Sequence, residues 1–360
     1  MNDSLFILDS KPVSYAIGEG ALSFSEKNLE QYKQAVILMD ENVEKYCLPV
    51  FREKLPLFNF KGIISIQSGE EQKNLEQTVH IWNELTRMQV DRDSLLLVLG
   101  GGVVSDIGGF AAATFKRGIK FINFPTTLLG MVDAAIGGKT GIDFNQFKNQ
   151  VGLFTNPDSV IIDPIFLSTL EDKHWQSGFA EVLKYGLIMD RELWRMMHGK
   201  HYREINQWNK IIIKAARDKI DIVRHDALEK GIRKNLNFGH TIGHAIESHF
   251  LKSGKPVTHG QAIAAGIICE AWISSRIYAF ECTQLDEIVE MIDINFNRFD
   301  LDESVIPDLL NLMRQDKKVR DGKLRFSLIR KLGKAVHDVE VDMKLVRDSI
   351  QFYIKKEKCS

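Results

Sequence analysis

Cysteine is scarce in this chain: Cys47, Cys269, Cys282 and Cys359 are the only four in 360 residues. No two form a CxxC pair, and their spacings match no metal-binding or disulfide framework. The expectation is four unpaired thiols in a reducing compartment. An excess of charge of one sign is equally lacking. Lys plus Arg number 47 and Asp plus Glu 48, so no global field favours nucleic acid or an anionic membrane. Any basic cluster must be local and suited to a small anion. No run reaches the roughly 18 apolar residues of a membrane span. The opening MNDSLFILDSKPVSYAIGEG lacks the basic stretch and long apolar core of a signal peptide. A cytoplasmic protein with no membrane or nucleic-acid partner is expected. Internal repeats and low-complexity runs are missing as well.

What is present begins with alternation. Short apolar runs at 35–39, 62–66, 95–99, 121–124 and 160–162 are each followed within two residues by Asp, Gly, Ser or Pro. Between two of them, Leu75, Val79, Trp82, Leu85 and Met88 mark one face of a helix. Strands alternating with helices predict a mostly parallel sheet covered on both faces, with ligands beyond the strand C-termini. From about Leu170 helical periodicity dominates, over 181–187, 206–223, 241–250, 261–280 and 285–294. Strand-like runs return only near 324–329 and 335–341. The fold class is α/β: a parallel-sheet domain over 1–170 and a mainly α-helical domain over 171–360.

The densest chemistry lies between Leu99 and Gly141. A strand runs into Gly100-Gly101-Gly102, followed by Asp106 and Gly108-Gly109. Glycines at a strand end let backbone N–H groups approach a pyrophosphate, and a helix N-terminus favours its charge. A GxGxxG fingerprint is absent, so a tight structural turn is the competing reading. Gly138-Lys139-Thr140 is not a Walker A loop either, because Asp133 occupies the position of its first glycine. Asp40, ending the first strong strand, suits a ribose hydroxyl. Glu70 and Lys73 end another, where a solvated loop charge is the plainer reading.

A second constellation has metal-ligand character. Glu181 lies in FAEVLKYG; His240 and His244 share a helical face in GHTIGH; His259 follows in VTHG. One carboxylate plus two or three imidazoles is the donor set of a catalytic Zn2+ site. A third set consists of cations and amides suited to phosphate and carboxylate: Arg117, Lys139, Lys148, Asn149, Lys184, Lys219, Arg233, Asn237 and the pair Lys317-Lys318.

The ordered motifs GGGVVSD, FAAATFKRG, PTTLL, VDAAIGGKTGI, KNQVG, FAEVLKYG and EKGIRKNLNFGHTIGHAIE, followed by HG, closely resemble those of the 3-dehydroquinate synthase family within the sugar-phosphate cyclases. The resemblance covers nearly the whole chain. It implies a Rossmann-like NAD-binding domain, a helical metal- and substrate-binding domain, and a homodimer. A divalent metal, Zn2+ or Co2+, would be held by Glu181, His240 and His259, with His244 on the substrate side instead. NAD would meet Asp40, Glu70, Lys73, Gly101, Gly102, Asp106, Thr126, Thr127, Lys148 and Thr169. The substrate phosphate would meet Lys139, Asn149, one lysine of the 317–318 pair (Lys318 is chosen) and Arg117 of the partner subunit. Its carboxylate would meet Lys219, Arg233 and Asn237. Asp133, Lys139, Lys184, Glu229 and His244 would serve the reacting ring.

The implied reaction is the conversion of 3-deoxy-D-arabino-heptulosonate 7-phosphate to 3-dehydroquinate and phosphate in the shikimate pathway. Oxidation by NAD, phosphate β-elimination, re-reduction and intramolecular aldol closure would follow one another without net redox change. Two departures stand out: Ser105 where the family has Gly or Thr, and Thr169-Leu170-Glu171-Asp172-Lys173-His174 where it has TLPxRE. The second leaves NAD contacts around 171–174 open. Competing readings are a cyclase forming a valiolone or an inosose, an iron-type alcohol or glycerol dehydrogenase, and a catalytically silent paralogue. Asn149, Asn237 and His244 favour the dehydroquinate pattern, and the phosphate and carboxylate receptors have no use in a dehydrogenase.

Overall fold

The computed structural model describes residues 4–359 apart from 10, 33, 57, 146, 279, 316–318, 321 and 322. The chain divides into two compact units, Met1–Glu171 with Gln207–Ile220, and Asp172–Asn206 with Asp221–Ser360. The first carries β1 (Leu5–Leu8), β2 (Ser14–Gly18), α1 (Ala21–Leu29), β3 (Ala35–Asp40), α2 (Glu41–Tyr46), α3 (Leu48–Lys54) and β4 (Gly62–Ile66). It continues with α4 (Leu75–Arg87), β5 (Leu95–Gly100), α5 (Gly102–Thr114), β6 (Lys120–Pro125), β7 (Lys139–Phe144), β8 (Phe147–Phe154) and β9 (Ser159–Ile162).

The main sheet has the order β1-β2-β9-β6-β5-β3-β4. All of its pairs are parallel except β1 with β2. β5 is buried at every residue, as an unbroken Leu and Val run must be when helices cover both faces of a sheet. Chain order reverses between β3 and β5. The register pairs Ala35 with Leu95 and Gly100 with Pro125, so the C-terminal ends of β3, β5 and β6 lie side by side. That is where an open parallel sheet binds its ligand. Under this edge sits a core that includes Leu38, Ile81, Leu85, Val98, Val104 and Ile107.

The expected face of α4 is corrected. Thr78, Ile81 and Leu85 are its buried residues, while Leu75 and Val79 are exposed. Trp82 lies at the margin of this face, its indole N–H donating to the Ala111 carbonyl. β7 and β8 form a separate two-stranded antiparallel sheet that no periodicity announced. Every residue of β8 is exposed.

From Asp172 onward the chain is mainly helical: α6 (Asp172–Ile188), α7 (Arg191–Met197), α8 (Trp208–His225), α9 (His240–Lys252), α10 (His259–Tyr278), α11 (Cys282–Asn295) and α12 (Ile306–Gln315). A small antiparallel sheet of β10 (Val319–Arg320), β11 (Lys323–Lys331) and β12 (Lys334–Glu340) follows, then α13 (Met343–Lys355). The first residues of α8, through Ile220, cluster with the first unit instead. The expectation of four unpaired thiols is also corrected. Cys282 and Cys359 form a disulfide, with only Cys47 and Cys269 free and buried. Tertiary packing of the C-terminus on α11 makes that pair: the Cys359 N–H donates to Asp286. Among the described residues no helix is long and apolar enough to cross a membrane.

Candidate active site

In the first unit the glycine turn sits where the strand ends converge. Gly101 precedes α5 and supplies no side-chain cap to its first turn. A Cβ on Gly101 would lie 2.9 Å from the Thr127 methyl, so a side chain would fill this cradle. Thr126 is buried, and its N–H donates to Gly100 O at 3.0 Å. Thr127 Oγ1 accepts from Gly130 N. Asp40 accepts from Val43 N and thereby caps α2. Thr169 Oγ1 donates to Phe166 O at 3.4 Å.

Lys73 is no solvated loop charge. It is 3 % exposed, lies 2.6 Å from Asp106 Oδ2 and donates to Asn149 Oδ1 at 2.5 Å. Burial pushes the Lys73 ammonium down, but Asp106 and Glu70 outweigh it and raise its pKa. Burial lifts the Asp106 carboxyl above its ordinary range despite Lys73. Asp143 joins the cluster by accepting from Asn149 N at 2.7 Å, while Glu70 and Lys148 pair at 3.7 Å. Lys219, on the part of α8 that clusters with this unit, donates to Asp133 Oδ1 at 2.7 Å. Lys139 and Arg117 are exposed.

The second unit assembles the metal set. Glu181 is fully buried on α6. His259 opens α10, whose second residue must be glycine: a Cβ on Gly260 would stand 2.3 Å from Ser177 Cα. That close approach of α10 to α6 brings His259 Nε2 to 3.2 Å from Glu181 Oε1. His240 Nε2 lies 3.4 Å from the same oxygen. Its Nδ1 is 3.0 Å from the Phe238 carbonyl, which can only accept, so Nδ1 carries the proton and Nε2 is left as a donor atom. The ligand atoms of Glu181, His240 and His259 lie within 4.8 Å of one another.

Lys184, one helical turn on and buried, pairs with Glu181. Burial resists charge on Glu181, yet Lys184 and the imidazoles hold its carboxyl well below the usual carboxylate range. Burial and Lys184 push His240 down to about 4. Burial also opposes charge on His259, but Glu181 and Glu247 outweigh it and lift His259 to about 9. The His244 ring is 5.2 Å from that of His240 and 6.0 Å from that of His259. Glu247, which the sequence reading missed, lies 3.8 Å from His259 Nδ1. Its signal was the spacing: His240, His244 and Glu247 recur on one helical face.

A polar loop before α9 holds the remaining candidates. Asn237 Nδ2 donates to Glu229 Oε1 at 2.7 Å. Arg233 is 1 % exposed, and its Nη1 donates to Ala227 O at 2.7 Å. Asp226, also missed, organises the loop by accepting from the N–H groups of Lys230, Gly231 and Arg233. Arg117, Asn149 and Glu229 share a further property: φ is +69°, +51° and +56°. Left-handed backbone in non-glycine residues costs on the order of 1–3 kcal/mol each and gathers at functional sites. The expected phosphate ligands Lys317 and Lys318 lie outside the described residues.

Comparison with known proteins supplies the context. The description "3-dehydroquinate synthase N-terminal" matches residues 63–177, and "3-dehydroquinate synthase C-terminal" matches 178–319. A 3-dehydroquinate synthase from Parabacteroides distasonis is 40% identical over 325 residues, covering 90% of this chain and 92% of the relative. One from Rippkaea orientalis is 34% identical over 360 residues, covering 95% and 96%. Among solved structures, a 2-epi-5-epi-valiolone synthase from Streptomyces hygroscopicus, with NAD+ and Zn2+ bound, superposes with a TM-score of 0.83 at 22% identity, over 97% of this chain and 99% of that one. The fold is therefore shared with a 2-epi-5-epi-valiolone synthase, while the two relatives named above by sequence are both 3-dehydroquinate synthases. The chain belongs to the 3-dehydroquinate synthase family.

Proposed function

We propose that this chain converts 3-deoxy-D-arabino-heptulosonate 7-phosphate to 3-dehydroquinate and phosphate, the reaction of its family. The observation that carries the reading is the Glu181–His240–His259 set, built on a buried carboxylate with Lys184 and His244 beside it, in a chain 40% identical to a 3-dehydroquinate synthase.

Two imidazole nitrogens and one carboxylate oxygen fit Zn2+ or Co2+ with a position left for substrate. The glycine cradle at Gly101 and Gly102, the strand-end residues Asp40, Thr126 and Thr127, Thr169 at the end of the short helix after β9, and the cluster Glu70, Lys73, Asp106 and Lys148 fit NAD. When bound, the dinucleotide supplies hydride acceptance and return, and the metal supplies Lewis acidity. The chain's own groups do the rest. Lys139, Asn149 and Lys318, with Arg117 of the partner subunit, neutralise the departing phosphate. Lys219, Arg233 and Asn237 hold the carboxylate. Asp133, Lys184, Glu229 and His244 orient the ring and handle its protons.

The homodimer is part of the same proposal. Phe144, Phe147, Val151, Leu153 and Phe154 are exposed on the β7–β8 sheet. An uncovered apolar strand edge of this kind calls for a partner; a second copy is the occupant the proposal takes. A cytoplasmic location belongs to the proposal too. The free thiols Cys47 and Cys269 support it, and the Cys282–Cys359 pair weighs against it.

The test is phosphate release from the heptulosonate phosphate with NAD+ and Zn2+, followed at the NADH absorbance band. Phosphate release without net NADH supports the reading. No release, with turnover of sedoheptulose 7-phosphate or glucose 6-phosphate instead, would move it to a related cyclase. Steady NADH accumulation would make it a dehydrogenase.

A further inference from the structure

Helix α9 opens at His240 with Gly239 before it, so it has no side-chain cap of its own. A cap comes from another helix. Glu270, in the middle of α10, is 0 % exposed. Its Oε2 accepts from Gly239 N at 2.7 Å, and its Oε1 accepts from Thr241 N at 3.0 Å and Ile242 N at 3.1 Å. These amides flank His240 on both sides. The helices approach closely enough for this only because small residues line the contact. A Cβ on Gly266 would lie 1.9 Å from Gly239 O, and one on Gly239 would lie 2.6 Å from Ile267 Cγ1.

The segment 238–242 is thereby held at two levels. The Phe238 carbonyl fixes the imidazole tautomer, and Glu270 fixes the peptides that carry Phe238 and His240. A carboxylate bound by N–H donors at a helix N-terminus is a strong, directional anchor. Both of its oxygens are used as acceptors. A glutamine there would turn one of them into an NH2 group facing an N–H donor.

We propose that Glu270 is a positioning residue that holds His240 in its metal-binding pose, so that divalent-metal affinity depends on a carboxylate that never touches the metal. The inference rests on the metal reading given under Proposed function. Outer partners of metal ligands of this kind typically carry a 10–100-fold share of affinity.

The experiment measures the Co2+ dissociation constant of the full chain by competition with a chromophoric chelator. The proteins are wild type, Glu270→Gln, His240→Ala and the double variant, with thermal melting in EDTA as a check of folding. The expected result is a folded Glu270→Gln protein that binds Co2+ about 10–100-fold more weakly and has a shifted Co2+ d–d spectrum. In the His240→Ala background the same change should add little, because its effect runs through His240. Unchanged affinity in Glu270→Gln, or an equal loss with and without His240, overturns the proposal. Should Glu270→Gln not fold, Glu270→Asp keeps the charge, shortens the reach and is read in the same way. A wild-type chain that takes up no Co2+ would instead refute the metal reading itself, and this inference with it. That outcome is distinct from a metal-binding wild type whose affinity ignores Glu270.

Discussion

Lys219 donates to Asp133 across 2.7 Å, although 86 residues separate them in sequence. Lys219 is nearly buried, with 8% of its side chain exposed. Asp133 stands on the wide helical turn Gly130–Ala134, a geometry frequent at functional sites. Lys219→Met should lower kcat/KM by about 10–100-fold, on the order of 1.5–3 kcal/mol for a lost hydrogen bond to a charged group. The effect should be smaller when Asp133→Asn is already present. Steady-state kinetics of the double-mutant cycle measures this. A cycle in which melting temperatures fall while kcat/KM per folded enzyme is unchanged would make the pair a structural brace.

The Lys73–Asp106 pair belongs to a different energetic class. Its lysine is almost wholly out of water, and removing one partner of a buried pair strands the other. Lys73→Met should therefore destabilise the protein by about 3–5 kcal/mol, while Lys73→Met with Asp106→Leu should recover much of the loss. Urea unfolding of the two variants tests this. A single variant as stable as wild type would show that the cluster is solvated in solution.

Much of the site was legible because its residues occur in short, ordered motifs. The run Leu95–Leu99 into three glycines marked a buried strand meeting a ligand, and β5 with α5 has that form. Glu181, His240, His244 and His259 were found by residue type, and they converge. What escaped was set by tertiary contact. Nothing in the helical pattern of 206–223 says that its first turns cluster with the opposite half of the chain and deliver Lys219 to Asp133. The hairpin β7–β8 escaped because β8 has no buried face to impose a period of two. The Cys282–Cys359 pair escaped because its separation of 77 residues means nothing until the C-terminus folds back onto α11. The expected face of α4 held only in part: Trp82, Leu85 and Met88 join or pack on the core, but Leu75 and Val79 are apolar yet exposed, which composition cannot foresee.

Asp226 gives the loop before α9 a pH dependence. Burial opposes its charge, but the N–H groups of Lys230, Gly231 and Arg233 prevail and hold the carboxyl below its ordinary 3.8. A lowered folded pKa contributes stability that is fully present above the unfolded value and is lost as pH falls through the folded one. Asp226→Asn should therefore be less stable than wild type near neutral pH, with the difference shrinking as pH drops below about 4. Urea midpoints from pH about 6 to about 3 decide the matter. A gap constant over that range would show that Asp226 acts by shape and not by charge.

Arg117 supplies the prediction that separates one chain from two. Lys116 and Arg117 are consecutive left-handed residues, followed by Gly118 at φ +109°. The Lys116 side chain ties this turn down through Val90 O at 2.6 Å, and Arg92 donates to Lys116 O. The turn is thus braced while Arg117 itself is exposed, the arrangement expected of a side chain offered to another molecule. If it completes the phosphate site of a second copy, Arg117→Ala and Glu181→Ala should each be nearly inactive as homodimers. A mixed dimer pairs one subunit lacking only Arg117 with one lacking only Glu181. It then contains one site with both defects and one with neither. Co-unfolded and refolded equal mixtures should regain about a quarter of wild-type activity, since random pairing makes half the dimers hybrid and each has one intact site. Activity that stays at the level of the single variants, with hybrids demonstrated by mass, would place Arg117 in the site of its own chain.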